Sequence, residues 1–162
     1  MGKRIVVIAV DDTKVGLLAI DFALEHFCEG YEFHLLHISP SVASFPVPYP
    51  FPHAAALAQH HEERRLNDRA TRHFVKEVFL PRASSKGASV VIADVDCVGT
   101  PESSNIGAAI CRYVEDVSPA GVILMRHNMG ILSRLFVGSV TKYCIENSKA
   151  PVIVVHPAVA DI

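Results

Sequence analysis

The sequence predicts an α/β fold, a doubly wound sheet of five parallel strands with helices on both faces. Three observations predict it. Short apolar, β-branched runs alternate along the chain with segments of helical period. The runs are continuous rather than alternating, as in strands covered on both faces. The segments between them supply the crossovers that parallel strands require, right-handed almost without exception. With 162 residues, half of them hydrophobic, the chain suffices for one domain, 1–162, with a full core.

Residues 5–10 read as a central strand. Asp12 or Thr13 can cap a helix beginning near Lys14, in which Leu17, Ile20, Leu24 and Phe27 recur at helical spacing and Gly30 is a stop. Residues 31–38 form the second strand. The stretch 39–53 interleaves Pro40, Pro46, Pro48, Pro50 and Pro52 with Phe45, Tyr49 and Phe51, and is expected as a loop, neither helix nor inner strand. Its polyproline character suits either a docked partner or packing on the domain's own surface, and packing agrees better with so many aromatics. Residues 54–79 carry a long helical pattern that Pro81 should end. Residues 89–98 form the third strand. Gly99, Thr100 and Pro101 lead into a helix carried by Ile106, Ala109, Ile110 and Val114. Residues 121–125 are the fourth strand, 126–137 a glycine- and arginine-bearing loop, 139–147 a short helix on Val140, Tyr143 and Cys144, and 151–156 the last strand.

Charge narrows the function classes. Fifteen Lys and Arg against seventeen Asp and Glu leave a net charge of -2, so neither a basic field for nucleic acid nor a polybasic tail for a membrane is present. The opening apolar run is too short to span a bilayer and meets Asp11 and Asp12 at once. Cys28, Cys97, Cys111 and Cys144 lack metal-ligand spacing and read as buried reduced thiols, so the expected compartment is the cytoplasm.

An open doubly wound sheet binds ligands beyond the carboxyl ends of its strands, where strand order reverses. Two segments there have suitable chemistry. One is Asp11, Asp12 and Thr13 after the first strand; the other runs from Gly130 to Thr141. Gly138 and Ser139 open a helix, whose N–H groups and partial positive charge favour phosphate, with the hydroxyls of Ser139 and Thr141 as added donors and Arg126, Arg134 and Lys142 nearby. On local sequence alone a turn glycine and an N-cap serine is the commoner reading of the same residues. The chain contains neither a Walker A string nor G-x-G-x-x-G.

Several strings resemble the universal stress protein family along nearly the whole chain. They are Ile8-Ala9-Val10-Asp11-Asp12-Thr13, Leu35-Leu36-His37-Ile38, Gly99-Thr100-Pro101 with Ile106, and Pro151-Val152-Ile153-Val154-Val155. The most specific runs from Arg134 through Gly138-Ser139 to Cys144. The resemblance implies an adenine nucleotide alpha hydrolase-like fold and an adenine nucleotide, ATP or AMP (with Mg for ATP), held as a switch or binding module. It implies at most slow ATP hydrolysis. Asp11 and Ile38 would then lie on the adenine side, and Ala9 would be a further nucleotide-binding residue. Leu124 and Met125 would line the base and ribose, Asn128, Gly138, Ser139 and Val140 would hold the phosphates, and Gly130 matches a glycine common in the nucleotide-binding loop. The family's loop is G-x2-G-x9-G-S/T; here Gly138-Ser139 keeps its end, while Asn128 and Met125 replace its first two glycines. Asn tolerates a left-handed backbone. Met125 can floor the pocket or fill it. The alternative is a dimeric interaction module without nucleotide binding, and a third reading is an enzyme of the related adenylyl-transfer group. The uncharged Val152 to Val155 strand would pair with its copy in a homodimer.

Other residues read as structural. His53, His60 and His61 lack the H-E-x-x-H spacing of a metal site, the charges from Arg64 to Arg72 read as a solvated helix face, His37 as a hydrogen-bonded core histidine and Cys144 as core. Ser139 lacks the G-x-S-x-G context of a hydrolase nucleophile.

Overall fold

The computed structural model describes residues 2–11, 13–27, 29–40, 62, 66, 69–97, 103–126 and 138–156. The strands are β1 (Arg4–Val10), β2 (Tyr31–Pro40), β3 (Ser89–Cys97), β4 (Gly121–Met125) and β5 (Val152–Val155). All neighbours are parallel, in the order β3-β2-β1-β4-β5. The order reverses between β1 and β4, which makes β1 the central strand that its unbroken apolar run requires.

Helices cover both faces. The first is served by α1 (Gly16–His26), a π-helical segment (Val75–Phe79) and α2 (Leu80–Ser84). Its core joins Val6, Ile8 and Val10 to Phe33, Leu35, Ile20, Phe79, Ile123 and Met125. The second is served by α3 (Ser103–Val117) and α4 (Ser139–Asn147), with Val7, Leu36, Val122 and Leu124 packed on Ile110, Val114 and Cys144. Pleating divides each strand's residues between the two cores.

Four local expectations are corrected. Thr13 does not cap α1. Its N–H and hydroxyl both donate to Asp11 Oδ1, at 2.9 and 2.7 Å, and a tight turn from Thr13 to Leu18 precedes a helix whose N-cap position, Val15, has no side-chain cap. A carboxylate two residues upstream is the stronger acceptor, so it takes the turn's donors. Asp12 lies outside the described residues. Secondly, α1 ends at His26, with Phe27 as its C-cap, and Gly30 (φ 77°) belongs instead to the turn into β2. Thirdly, Pro81 does not end the helix before it. It sits in the first turn of α2, where no backbone N–H is needed, and the wider π turn just upstream makes room for its ring. Fourthly, β2 runs on through Ser39 and Pro40. β1 has already ended opposite His37, so the last residues of β2 pair with β3 alone and a missing N–H is tolerated there. The rest of the proline-rich stretch lies outside the described residues.

Candidate functional site

Strand order reverses between β1 and β4, so the crevice expected from topology belongs at the carboxyl ends of these two strands. Asp11, partly exposed, follows β1 directly. Arg126 follows β4, its N–H donating to the Val155 carbonyl at 3.0 Å. Ala9, Ile38, Leu124 and Val140 belong to one apolar cluster, the one under α3 and α4. The structure therefore gathers four of the predicted residues on a single face.

Met125 is not among them. It lies next to Leu124 on β4, so its side chain points the other way, into the core beneath α1 with Val10 and Ile123, and is 7 % exposed. It neither fills nor lines the space over Leu124. Asn128, Gly130 and Arg134 lie outside the described residues.

The helix end resolves one ambiguity. Gly138 (φ −56°, ψ 150°) is the N-cap of α4, and no side chain caps the first turn. Ser139 is thus the first helical residue, and its hydroxyl donates to Ser103 Oγ at 2.7 Å. Ser103 opens α3, so two helix N-termini converge beside the crevice, with no acidic residue in the first turn of either. Partial positive charges and N–H groups from two helices then act in one place. Thr141 is buried, which removes it as a surface donor, and Lys142 lies 4.0 Å from Glu146 on the exposed side of α4. Ser103 was missed in the sequence because its importance comes from a partner 36 positions away.

The helices can converge because Gly107 has no side chain. A Cβ there would stand 2.7–2.9 Å from Tyr143. Gly16 plays the same part at the start of α1, where a Cβ would meet the Phe79 ring at 2.8 Å.

Two polar networks flank the cores. On the α1 face His37 Nδ1 lies 3.3 Å from Asp94 Oδ1, Ser39 donates to the same oxygen at 2.7 Å, and Arg72 Nε reaches Asp94 Oδ2 at 2.5 Å. The expected structural histidine is therefore hydrogen-bonded at a strand end. On the other face His34 Nε2 lies 3.2 Å from Glu32, His34 Nδ1 lies 2.8 Å from the Tyr113 hydroxyl, and Ser89 donates to Glu32 at 2.7 Å. A carboxylate only accepts, so Nε2 donates to Glu32, and in the neutral imidazole Nδ1 then accepts from the Tyr113 hydroxyl. The Ser89 hydrogen bond, then that of His34, holds Glu32 below its ordinary value, and burial pushes Tyr113 up. This network occupies the amino half of β2, away from the crevice. A surface recess of about 350 Å³ between α1 and α2 is bordered by Asp21, Glu25, Arg82 and Lys86, and its Arg82 is already paired with Asp21.

Among the described residues no group of three or more His, Cys, Asp and Glu could hold a metal, and no helix is long and apolar enough to cross a membrane. Glu62 is described; His53, His60 and His61 are not.

Comparison with known proteins places this architecture. No curated protein sequence matches the chain. Among solved structures, the universal stress protein UspA from Lactobacillus plantarum superposes with a TM-score of 0.70 at 16% identity, covering 96% of this chain and 99% of that one. A universal stress protein from Archaeoglobus fulgidus in complex with dAMP gives 0.60 at 16% identity, with 95% and 98% covered. One in complex with cAMP gives 0.56 at 19% identity, with 96% and 98% covered. At these identities the superpositions establish the fold. The family model described as the universal stress protein family matches residues 2–156, and the chain belongs to that family.

Proposed function

We propose that this protein binds an adenine nucleotide, ATP, ADP or AMP, in the crevice between β1 and β4 and acts as a nucleotide-dependent switch or binding module. The observation that carries the reading is the convergence of the α3 and α4 N-termini at the 2.7 Å Ser103–Ser139 hydrogen bond, beside an apolar floor of Ala9, Ile38, Leu124 and Val140. Backbone N–H groups and hydroxyls suit phosphate, and the apolar floor suits a base. Asp11 stands at the end of the neighbouring strand as a hydrogen-bond acceptor for base or ribose. Relatives of the same fold bound to dAMP and cAMP support an adenine ligand. The position of Met125 supports it too, because the thioether is stowed in the opposite core. Asn128 and Gly130 would complete the phosphate side.

Thermal unfolding with ATP, ADP and AMP, each with and without Mg2+, tests this. Ligand at a hundred times its Kd stabilises by about 2.7 kcal/mol. A melting temperature unmoved by millimolar nucleotide would refute the reading. Asp11→Asn should weaken binding about tenfold, which is about 1.4 kcal/mol.

A second reading has its own observation. Among the described residues β5 is an edge strand, its Val154 is 36% exposed, and its own four residues carry no charge. Such an edge favours a homodimer closed through Val152–Val155. Light scattering should give twice the chain mass, and Val154→Lys should return a monomer. A dimer indifferent to every nucleotide would leave the interaction module as the function.

A further inference from the structure

We propose that Cys111 and Cys144 are an oxidisable dithiol that closes into an intramolecular disulfide, locking α3 to α4. Cys111 lies one turn after Gly107 on the same side of α3, and Cys144 follows Tyr143 on α4. Gly107 and Tyr143 mark a close approach of the two helices, since a Cβ on Gly107 would overlap the Tyr143 side chain. Cys144 Sγ lies 3.9 Å from the Gly107 carbonyl, the one that accepts the helical N–H of residue 111. Each thiol shifts the titration of the other, Cys144 lowering Cys111 and Cys111 raising Cys144, as neighbouring groups do, and both are free. A disulfide needs Cα atoms about 4.4–6.8 Å apart, a separation that facing helices reach only at a close crossing.

The environments differ in a way that orders the chemistry. Cys144 is fully buried, whereas Cys111 is partly exposed and meets a solvent-borne oxidant first. With hydrogen peroxide, the Cys111 sulfur attacks one peroxide oxygen, the O–O bond breaks, and a sulfenic acid and water form. The Cys144 sulfur then attacks the sulfenyl sulfur. The S–O bond breaks, the S–S bond forms, and a second water leaves with the Cys144 proton. Two thiols lose two electrons and two protons, and one peroxide becomes two waters. Burial pushes both thiols up, Cys144 to about 12, so thiolate is scarce at neutral pH and the pair stays reduced until oxidant is sustained. The helices it would join carry Ser103 and Ser139 at their N-termini, yet the cross-link stands independently of the nucleotide reading.

The full chain is treated with hydrogen peroxide, alkylated, cleaved with trypsin and mapped by mass. Cys111 falls in peptide 87–112 with Cys97, and Cys144 in peptide 143–149. The expected product is these two peptides joined, two hydrogens lighter than their sum and separated by a reductant. The link should persist in Cys97→Ser, where 87–112 keeps one cysteine, and vanish in Cys111→Ser. Its rate of formation should rise about tenfold per pH unit from neutrality. Closing the loop should raise the melting temperature by roughly 5–10 °C in the oxidised Cys97→Ser chain, a readout that does not require Cys111→Ser to fold. A link that survives in Cys111→Ser, one that forms only in urea, or oxidation that yields only sulfinic acid or cross-linked chains would overturn the proposal.

Discussion

The face of the sheet under α1 and α2 holds the bulkiest buried side chains, and the face under α3 and α4 holds the residues of the candidate site. The first holds the fully buried aromatic rings, Phe33 and Phe79, with Ile8, Ile20, Leu35 and Ile123. The second has smaller buried side chains, Val7, Leu36, Val114 and Val122, and a helix pair brought together at Gly107. The candidate nucleotide floor, the two serine hydroxyls and the thiol pair all belong to the second. Large interdigitated side chains resist local rearrangement. A close helix crossing over small residues places backbone N–H groups and reactive side chains side by side instead. The difference teaches that the bulkiest packing and the candidate site fall on opposite sides of one sheet.

The harshest test of that division is Phe79→Ala. It should cost about 3–5 kcal/mol in the urea midpoint, because the ring is fully buried among Gly16, Phe74 and the α1 core. Nucleotide affinity, corrected for the folded fraction, should hardly change. An equal loss of both would show that the faces are not separable. Gly107→Ala is the converse. Its Cβ must displace Tyr143, so it should cost about 1–3 kcal/mol and, by parting α3 from α4, weaken nucleotide binding and slow disulfide formation together.

A smaller effect sharpens the picture at the amino end of β2. Glu32 is held below its ordinary 4.5 by Ser89 first and His34 second. A carboxylate depressed in the folded state adds stability above its unfolded value and loses it as pH falls through the folded one. Ser89→Ala should therefore destabilise more at pH 6 than at pH 3, read from melting temperatures, with nucleotide binding unaffected. The smallest change is expected at the solvent-exposed Lys149–Glu115 pair, where Lys149→Ala should cost no more than about 0.5 kcal/mol and less in high salt.

Much of the fold was legible because parallel strands buried on both sides need continuous apolar runs, as residues 5–10 and 121–125 have. The misread boundaries share one cause. Thr13 looked like a cap, and Pro81 like a stop, because the sequence shows which groups can act but not which partner reaches them first. Asp11 outcompeted the helix for Thr13, and a π turn accommodated Pro81. At the candidate site, Asp11, Gly138 and Ser139 stood out by residue type and position. Ser103 and the proximity of Cys111 to Cys144 did not, since a long-range neighbour leaves no local signal.

Periodicity and residue type alone determined that this chain would form a five-stranded parallel sheet with an acidic group at one strand end and a glycine–serine helix start. Tertiary structure alone decided that Met125 faces the α1 core while Leu124 faces α3 and α4, that Ser139 meets Ser103, and that two thiols 33 positions apart become neighbours where α3 and α4 pack together. The physical reason is that apolar burial is written into every few residues of a chain, whereas the pairing of particular side chains depends on how closely two helices pass, and Gly107 takes on that role only once Tyr143 is packed against it.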